Sequence, residues 1–165
     1  MTERRTVFSP DRAYRYTLWR EWEGMFPATR PGYVCFIGLN PSTADETIND
    51  PTIRRCIGFA QQWGYGALCM ANLFAFRATD PREMMGAADP VGPDNNQWLL
   101  NCTVEADMII AVWGVNGAYQ NRDRQVKVLL KGGRIHCLGL TQDGFPRHPL
   151  YMPSSAKPTI YWSGQ

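Results

Sequence analysis

Polar clusters follow several apolar runs of the chain, and they contain the residue types that hold a water, read a ring edge or stabilise a leaving anion. Gly38-Leu39-Asn40-Pro41-Ser42 sets an amide on a turn stiffened by proline, where it can fix one water in a single orientation. Asn-Pro is equally an ordinary turn initiator. Asn72 closes the run ALCMAN, and a buried amide is costly unless paired, so it either reads a ligand edge or satisfies loop backbone. His148 sits in Pro146-Arg147-His148-Pro149. As a cation it would stabilise charge on a leaving group; otherwise it is a surface imidazole in a proline-rich turn. His136 alternates inside an apolar run and reads as structural.

Carboxylates and guanidinium groups surround these clusters. Asp45, Glu46 and Asp50 follow Asn40, so one of them is a candidate general base, although an acidic loop before a helix also serves capping and solvation. Arg54, Arg55, Arg77, Arg122, Arg124 and Arg147 all lie in or near segments that follow a strand. They are candidate phosphate contacts, with solvated surface arginine as the plain alternative.

The elements that must position these groups are legible in the apolar pattern. Residues 33–38 (YVCFIG) form a short continuous apolar run, as in a strand covered on both faces, and 67–72 and 108–113 repeat it. Asp50-Pro51-Thr52 supplies an N-cap and an N1 proline for a helix that carries Ile53, Ile57, Phe59, Ala60 and Trp63 and closes near Gly64. Further helices are expected over 93–104 and 119–130, and a fourth buried strand over 134–140. The aromatic segment YRYTLW at 14–19 reads as an edge strand or half of a hairpin. Strands alternating with helices imply a mainly parallel sheet, whose ligands bind at the carboxyl ends of the strands.

Bulk properties narrow the class. The 165 residues suit one domain, 1–165, with 44% hydrophobic and 19% charged residues. A formal charge of +2 leaves any nucleic-acid affinity to a local basic surface. The cysteines Cys35, Cys56, Cys69, Cys102 and Cys137 lack CxxC spacing and are expected to be reduced core thiols, with no metal and no cofactor. No apolar run reaches the roughly 18 to 20 residues of a membrane span, and the start Met1-Thr2-Glu3-Arg4-Arg5 has no apolar stretch behind it. The expected location is cytoplasmic, away from membranes, and the expected state is a monomer.

Taken in order, the strand-end segments resemble the uracil-DNA glycosylase superfamily across about residues 33–150. Gly38-Leu39-Asn40-Pro41-Ser42 is similar to its first motif, G-[QIML]-[DNA]-P-x, and most closely to the mismatch-specific and thymine branch, which has Asn in third position. Leu68-Cys69-Met70-Ala71-Asn72 resembles the strand ending in a base-reading Asn. Val112-Trp113-Gly114 is similar to the Leu-Trp-Gly strand end, and His148-Pro149 resembles the opening of the last motif. NPSTAD and RHPLY also resemble a small family from bacteria and their viruses whose name carries no activity.

The superfamily resemblance implies a three-layer α/β/α fold with a central, mainly parallel four-stranded sheet, to which an N-terminal edge strand or hairpin can be added. It implies a DNA glycosylase acting on a flipped, modified or deaminated base without cofactor. Asn40 would then orient the water, Asn72 would read the base and His148 would stabilise the departing anion. Leu39, Pro41 and Ser42 would line the base site, and Arg54, Arg55 and Arg147 would meet DNA. Asn40 cannot take the water's proton, so turnover should be slower than with Asp there, and Asp45 is the candidate to compensate.

Two departures stand out. The usual aromatic-Ser stretch is replaced by Thr43-Ala44-Asp45-Glu46, leaving Phe74 or Phe76 to stack on the base. Leu150-Tyr151 replaces a Ser-rich turn and offers a wedge for the gap left by an extruded base, or simple packing. A non-catalytic binder of modified bases or nucleotides would use the same pocket. An unrelated α/β hydrolase or transferase acting on small nucleotides is a third reading, without a P-loop, GxSxG or GxGxxG match to support it.

Overall fold

The buried run Val34–Gly38 becomes the central strand of a sheet because its side chains have a core to fill on either side. Cys35 and Ile37 enter one apolar cluster, Val34 and Phe36 the other. The computed structural model describes residues 5–22 and 28–164, so the charged start before Arg5 lies outside the described residues.

In chain order the strands are β1 (Thr6–Phe8), β2 (Arg15–Glu21), β3 (Val34–Gly38), β4 (Ala67–Asn72), β5 (Met108–Ala111), β6 (Ile135–Cys137) and β7 (Thr159–Trp162). The helices are α1 (Pro51–Gln62), α2 (Pro81–Met85), α3 (Asn95–Val104) and α4 (Arg122–Leu129). The sheet runs β1-β2-β4-β3-β5-β6-β7.

The sheet therefore has seven strands among the described residues and not the expected four. The four expected strands are its parallel centre, β4-β3-β5-β6. The N-terminal hairpin β1-β2 joins antiparallel to β4, and β7 pairs antiparallel with β6. Strand β7 escaped the sequence reading because TIYW is short and only partly covered. The fourth parallel strand stops at Cys137, since Leu140 pairs instead with Pro146 in a local turn.

Helix α1 starts as its sequence demands. The Asp50 carboxylate accepts from the Ile53 N–H at 2.9 Å, Pro51 opens the first turn, and Ile53, Cys56, Phe59 and Ala60 are buried on one face of the sheet. Leu99 and Cys102 of α3 and Val126 of α4 enter the cluster on the other face. The expected helix at 119–130 is an irregular turn over Val115–Asn121 followed by α4. All five cysteines are buried free thiols, as their apolar settings predict. Among the described residues no helix is long and apolar enough to cross a membrane.

Candidate functional site

Parallel pairing of β3 with β4 and β5 puts Gly38, Asn72 and the segment after Ala111 at one edge of the sheet. The pairing continues past the strands: Leu73 N donates to Gly38 O, Phe74 N to Leu39 O and Ala78 N to Pro41 O, each at 2.9 Å. The loops after β3 and β4 thus run side by side. Between them and the end of β5 opens a cavity of about 530 Å³, floored by Met70, Ile53 and Val112. Its size falls in the range of small-molecule sites, roughly 300–1,000 Å³.

Leu39, Asn40, Pro41, Ser42, Asn72, His148, Leu150 and Tyr151 all line this cavity. The Asn40 amide nitrogen donates to Ala78 O at 2.8 Å and to Pro41 O at 3.2 Å. Both bonds fix the side chain and use its nitrogen, and among the described residues no bond to Oδ1 is formed; Asn40 lines the cavity.

Asn72 is only 3% exposed, and its Nδ2 has no partner among the described residues. Its amide lies over Gly38: a Cβ at that glycine would stand 2.9 Å from Asn72 Oδ1. The first motif's glycine is therefore needed for close approach. The Asn72 backbone is held from behind, where Asn95 Nδ2 donates at 3.0 Å to both Asn72 O and Leu73 O. Arg122 Nε donates to Leu73 O at 2.8 Å and its guanidinium reaches Asn96 Oδ1. Arg122, expected as a phosphate contact, is buried in this buttress and does not line the cavity.

His148 is anchored through its ring. Nδ1 accepts from Leu150 N at 3.2 Å, while Nε2 lies 3.5 Å from Thr52 Oγ1. Burial holds its pKa below 6.5, with the Asp50 charge opposing the shift. An accepting Nδ1 and a lowered pKa together define a neutral imidazole with its proton on Nε2. The cationic role expected from the sequence gives way to that of a neutral donor. Gly114 N donates to Pro146 O at 2.9 Å, which ties the His148 segment to the end of β5.

Other sequence candidates fall outside the cavity. Asp45 Oδ1 accepts from Thr47 N at 2.9 Å, Thr47 Oγ1 at 3.2 Å and Ile48 N at 2.8 Å, and the backbone bonds from Thr47 and Ile48 hold its pKa below the ordinary 3.8. Asp45 closes its own turn and is not brought to Asn40; the carboxylate that lines the cavity is Asp50. Phe74 is packed in the core of the opposite face, its ring 5.8 Å from that of Tyr119, and Phe76 packs edge-on to Tyr14. Neither is positioned to stack in the cavity. The aromatic at the rim is Tyr151, 78% exposed, next to Leu150 at 49%.

The basic candidates divide. Arg54 and Arg55 border a separate hollow of about 220 Å³ with Phe59 and Ser154. Arg55 bonds Met152 O and lies 5.2 Å over the Phe59 ring. Arg147 and Arg124 are exposed, Arg147 donating to Leu140 O at 3.0 Å. Arg77 lies 4.7 Å over the Phe8 ring, and Glu46 pairs with Arg12 at 2.6 Å. His136 lies in β6, in keeping with a structural role.

Two arginines of β2 hold the neighbouring loop although the sequence reading singled out neither: Arg15 falls within the aromatic run 14–19 and Arg20 directly follows it. Arg20 is fully buried and bonds Asn49 Oδ1 at 2.7 Å, Ile48 O at 3.3 Å and Asp45 O. Arg15, 2% exposed, donates through Nη1 to Ala44 O at 3.0 Å and lines the cavity. They clamp the loop that carries Asn40 and Asp50. Burial lowers the Arg15 pKa to about 10, with Asp50 opposing, so the guanidinium stays charged at neutral pH.

A family profile described as "Protein of unknown function (DUF1643)" matches residues 15–150. No curated protein and no solved structure matches the chain.

Proposed function

The chain belongs to the DUF1643 family, whose description assigns no activity, and we propose that its cavity receives a base flipped out of DNA and hydrolyses the N-glycosidic bond. On this reading the helices on both faces of the sheet make the three-layer architecture of the uracil-DNA glycosylase superfamily, with additional edge strands. The observation that carries the proposal is the convergence of Asn40, Asn72 and His148 on one cavity at the carboxyl ends of parallel strands.

Each group has a role that suits its geometry. Asn40 Oδ1, held by the two bonds of its own amide nitrogen, accepts a hydrogen bond from the attacking water. The water oxygen bonds to the sugar C1′, the C1′–N bond breaks, and its electron pair leaves with the base. His148 donates from Nε2 to the oxygen where that charge collects, and a neutral donor does this without itself being consumed. Asp50 takes the water's proton through Oδ2, which has no protein donor among the described residues. Asn72 reads the base edge, Tyr151 and Leu150 fill the stack, and Arg54, Arg55 and Arg147 meet phosphates.

The test is incubation with single- and double-stranded oligonucleotides carrying uracil, hypoxanthine, hydroxymethyluracil and other modified bases, followed by alkaline cleavage at abasic sites. Strand breaks that disappear in Asn40→Ala, with fold and DNA binding retained, are the expected result. Folded protein that yields no breaks across the panel rules out hydrolysis. A second reading, a binder without turnover, is favoured by one observation: the group on the first loop is a neutral amide and the nearby Asp45 is committed to its own turn. Calorimetric binding of modified DNA or nucleosides without breaks would select it.

A further inference from the structure

Arg15 is a buried cation that no carboxylate among the described residues neutralises by contact. It is 2% exposed, and its sole side-chain hydrogen bond among the described residues runs from Nη1 to Ala44 O at 3.0 Å. Its Nε has no partner among the described residues, and the residue forms part of the cavity wall. A charged guanidinium in the cavity wall suits an oxyanion. A second buried donor, Asn72 Nδ2, is also unpartnered on a residue lining the same cavity. Trp113 Nε1 on the same wall is a third; buried donors without acceptors are expensive to keep, so the cavity suits a ligand rich in acceptors.

Asp50 lines the cavity too but does not fill this need, because its Oδ1 caps α1. The cavity, at about 530 Å³, holds more than a bare pyrimidine ring, which leaves room for a substituent beyond the part read by Asn72 and His148.

We propose that Arg15 makes an oxyanion subsite within the cavity, and that the ligand is a nucleobase compound carrying a carboxylate or phosphate that meets the open edge of this guanidinium. The proposal rests on the reading of the cavity as a base pocket, and it concerns binding alone. The oxyanion has two sources: a carboxylate attached to the base, or the phosphate of a free nucleotide.

Titration calorimetry with three probes distinguishes them: uracil, uracil-6-carboxylate and uridine 5′-monophosphate. The expected result is that one of the charged probes binds about tenfold or more tighter than uracil. In Arg15→Met the advantage falls below about twofold, and Arg15→Lys, which keeps charge without the planar fork, retains part of it. The stronger charged probe identifies the source. Equal binding of all three probes overturns the oxyanion subsite and leaves the base pocket standing, whereas binding by none overturns both. If Arg15→Met does not fold, the comparison of probes on the unaltered protein decides the matter alone.

Discussion

Replacing Asn40 by Asp is the change that general-base chemistry recommends, and the geometry forecasts the opposite of an improvement. The Asn40 nitrogen donates to Ala78 O at 2.8 Å and Pro41 O at 3.2 Å. Asp puts an acceptor-only oxygen in that place. Each lost bond is worth about 0.5–1.5 kcal/mol, and leaving acceptors face to face adds about 1–3 kcal/mol. Half-burial lets water relieve part of this, so a destabilisation of roughly 2–4 kcal/mol at pH 7 is expected. Once protonated, by contrast, the carboxyl introduced by Asn40→Asp can donate to Ala78 O. That carboxyl therefore has a folded pKa raised above its unfolded value of about 3.9. Its contribution to stability is present below that unfolded value and lost as pH rises through the folded one. Urea unfolding of both proteins should show a gap under about 1 kcal/mol at pH 4 that widens to roughly 2–4 kcal/mol at pH 7. Equal stability at pH 7, or a gap independent of pH, refutes the reasoning. On any base the protein removes, Asn40→Asp should be no faster than the unaltered protein.

Gly38→Ala drives a methyl to 2.9 Å from Asn72 Oδ1, so it should cost about 1–3 kcal/mol and weaken base binding while the sheet persists, as read by thermal unfolding and calorimetry. Asn95→Leu removes the side-chain donor to Asn72 O and one of the two to Leu73 O, which keeps Arg122 Nε, and should cost about 1–3 kcal/mol in urea unfolding. His148 should titrate below 6.5 by NMR, with an Nδ1 shift typical of an unprotonated nitrogen. Because its folded pKa lies below the unfolded one, its contribution to stability is lost as pH falls from 6.5 through the folded value. Five thiols should react with a chromogenic disulfide in denaturant and essentially none in the native protein.

The parallel centre of the sheet was legible because β3, β4 and β5 are apolar runs ended by turn residues, and α1 because Asp50-Pro51 marks its start. The same continuity hid which way side chains point. In a strand covered on both faces no polar alternation records sidedness, so Asn72 and Phe74 looked like neighbours in one pocket although Phe74 belongs to the opposite core. Asp45 and Asp50 were indistinguishable by type. What separates them is that Thr47 and Ile48 fold back onto Asp45. Arg15 and Arg20 were missed as site residues because buried arginine runs against composition statistics, and their carbonyl partners come from a loop about 25 to 30 residues away.

The clamp from β2 to the loop after β3 determines how that loop can move. Its bonds join buried guanidinium groups to uncharged carbonyl and amide oxygens, so they depend less on salt than pairs between surface charges do. Added salt should therefore leave the loop in place. To release it, β2 must part from β4, to which it is bound from Leu18 through Glu21. Opening of the site and fraying of the sheet edge are then one event. Hydrogen exchange would register it as amides of Arg20 and of the Asp45 turn becoming labile together, although 25 residues separate them in sequence.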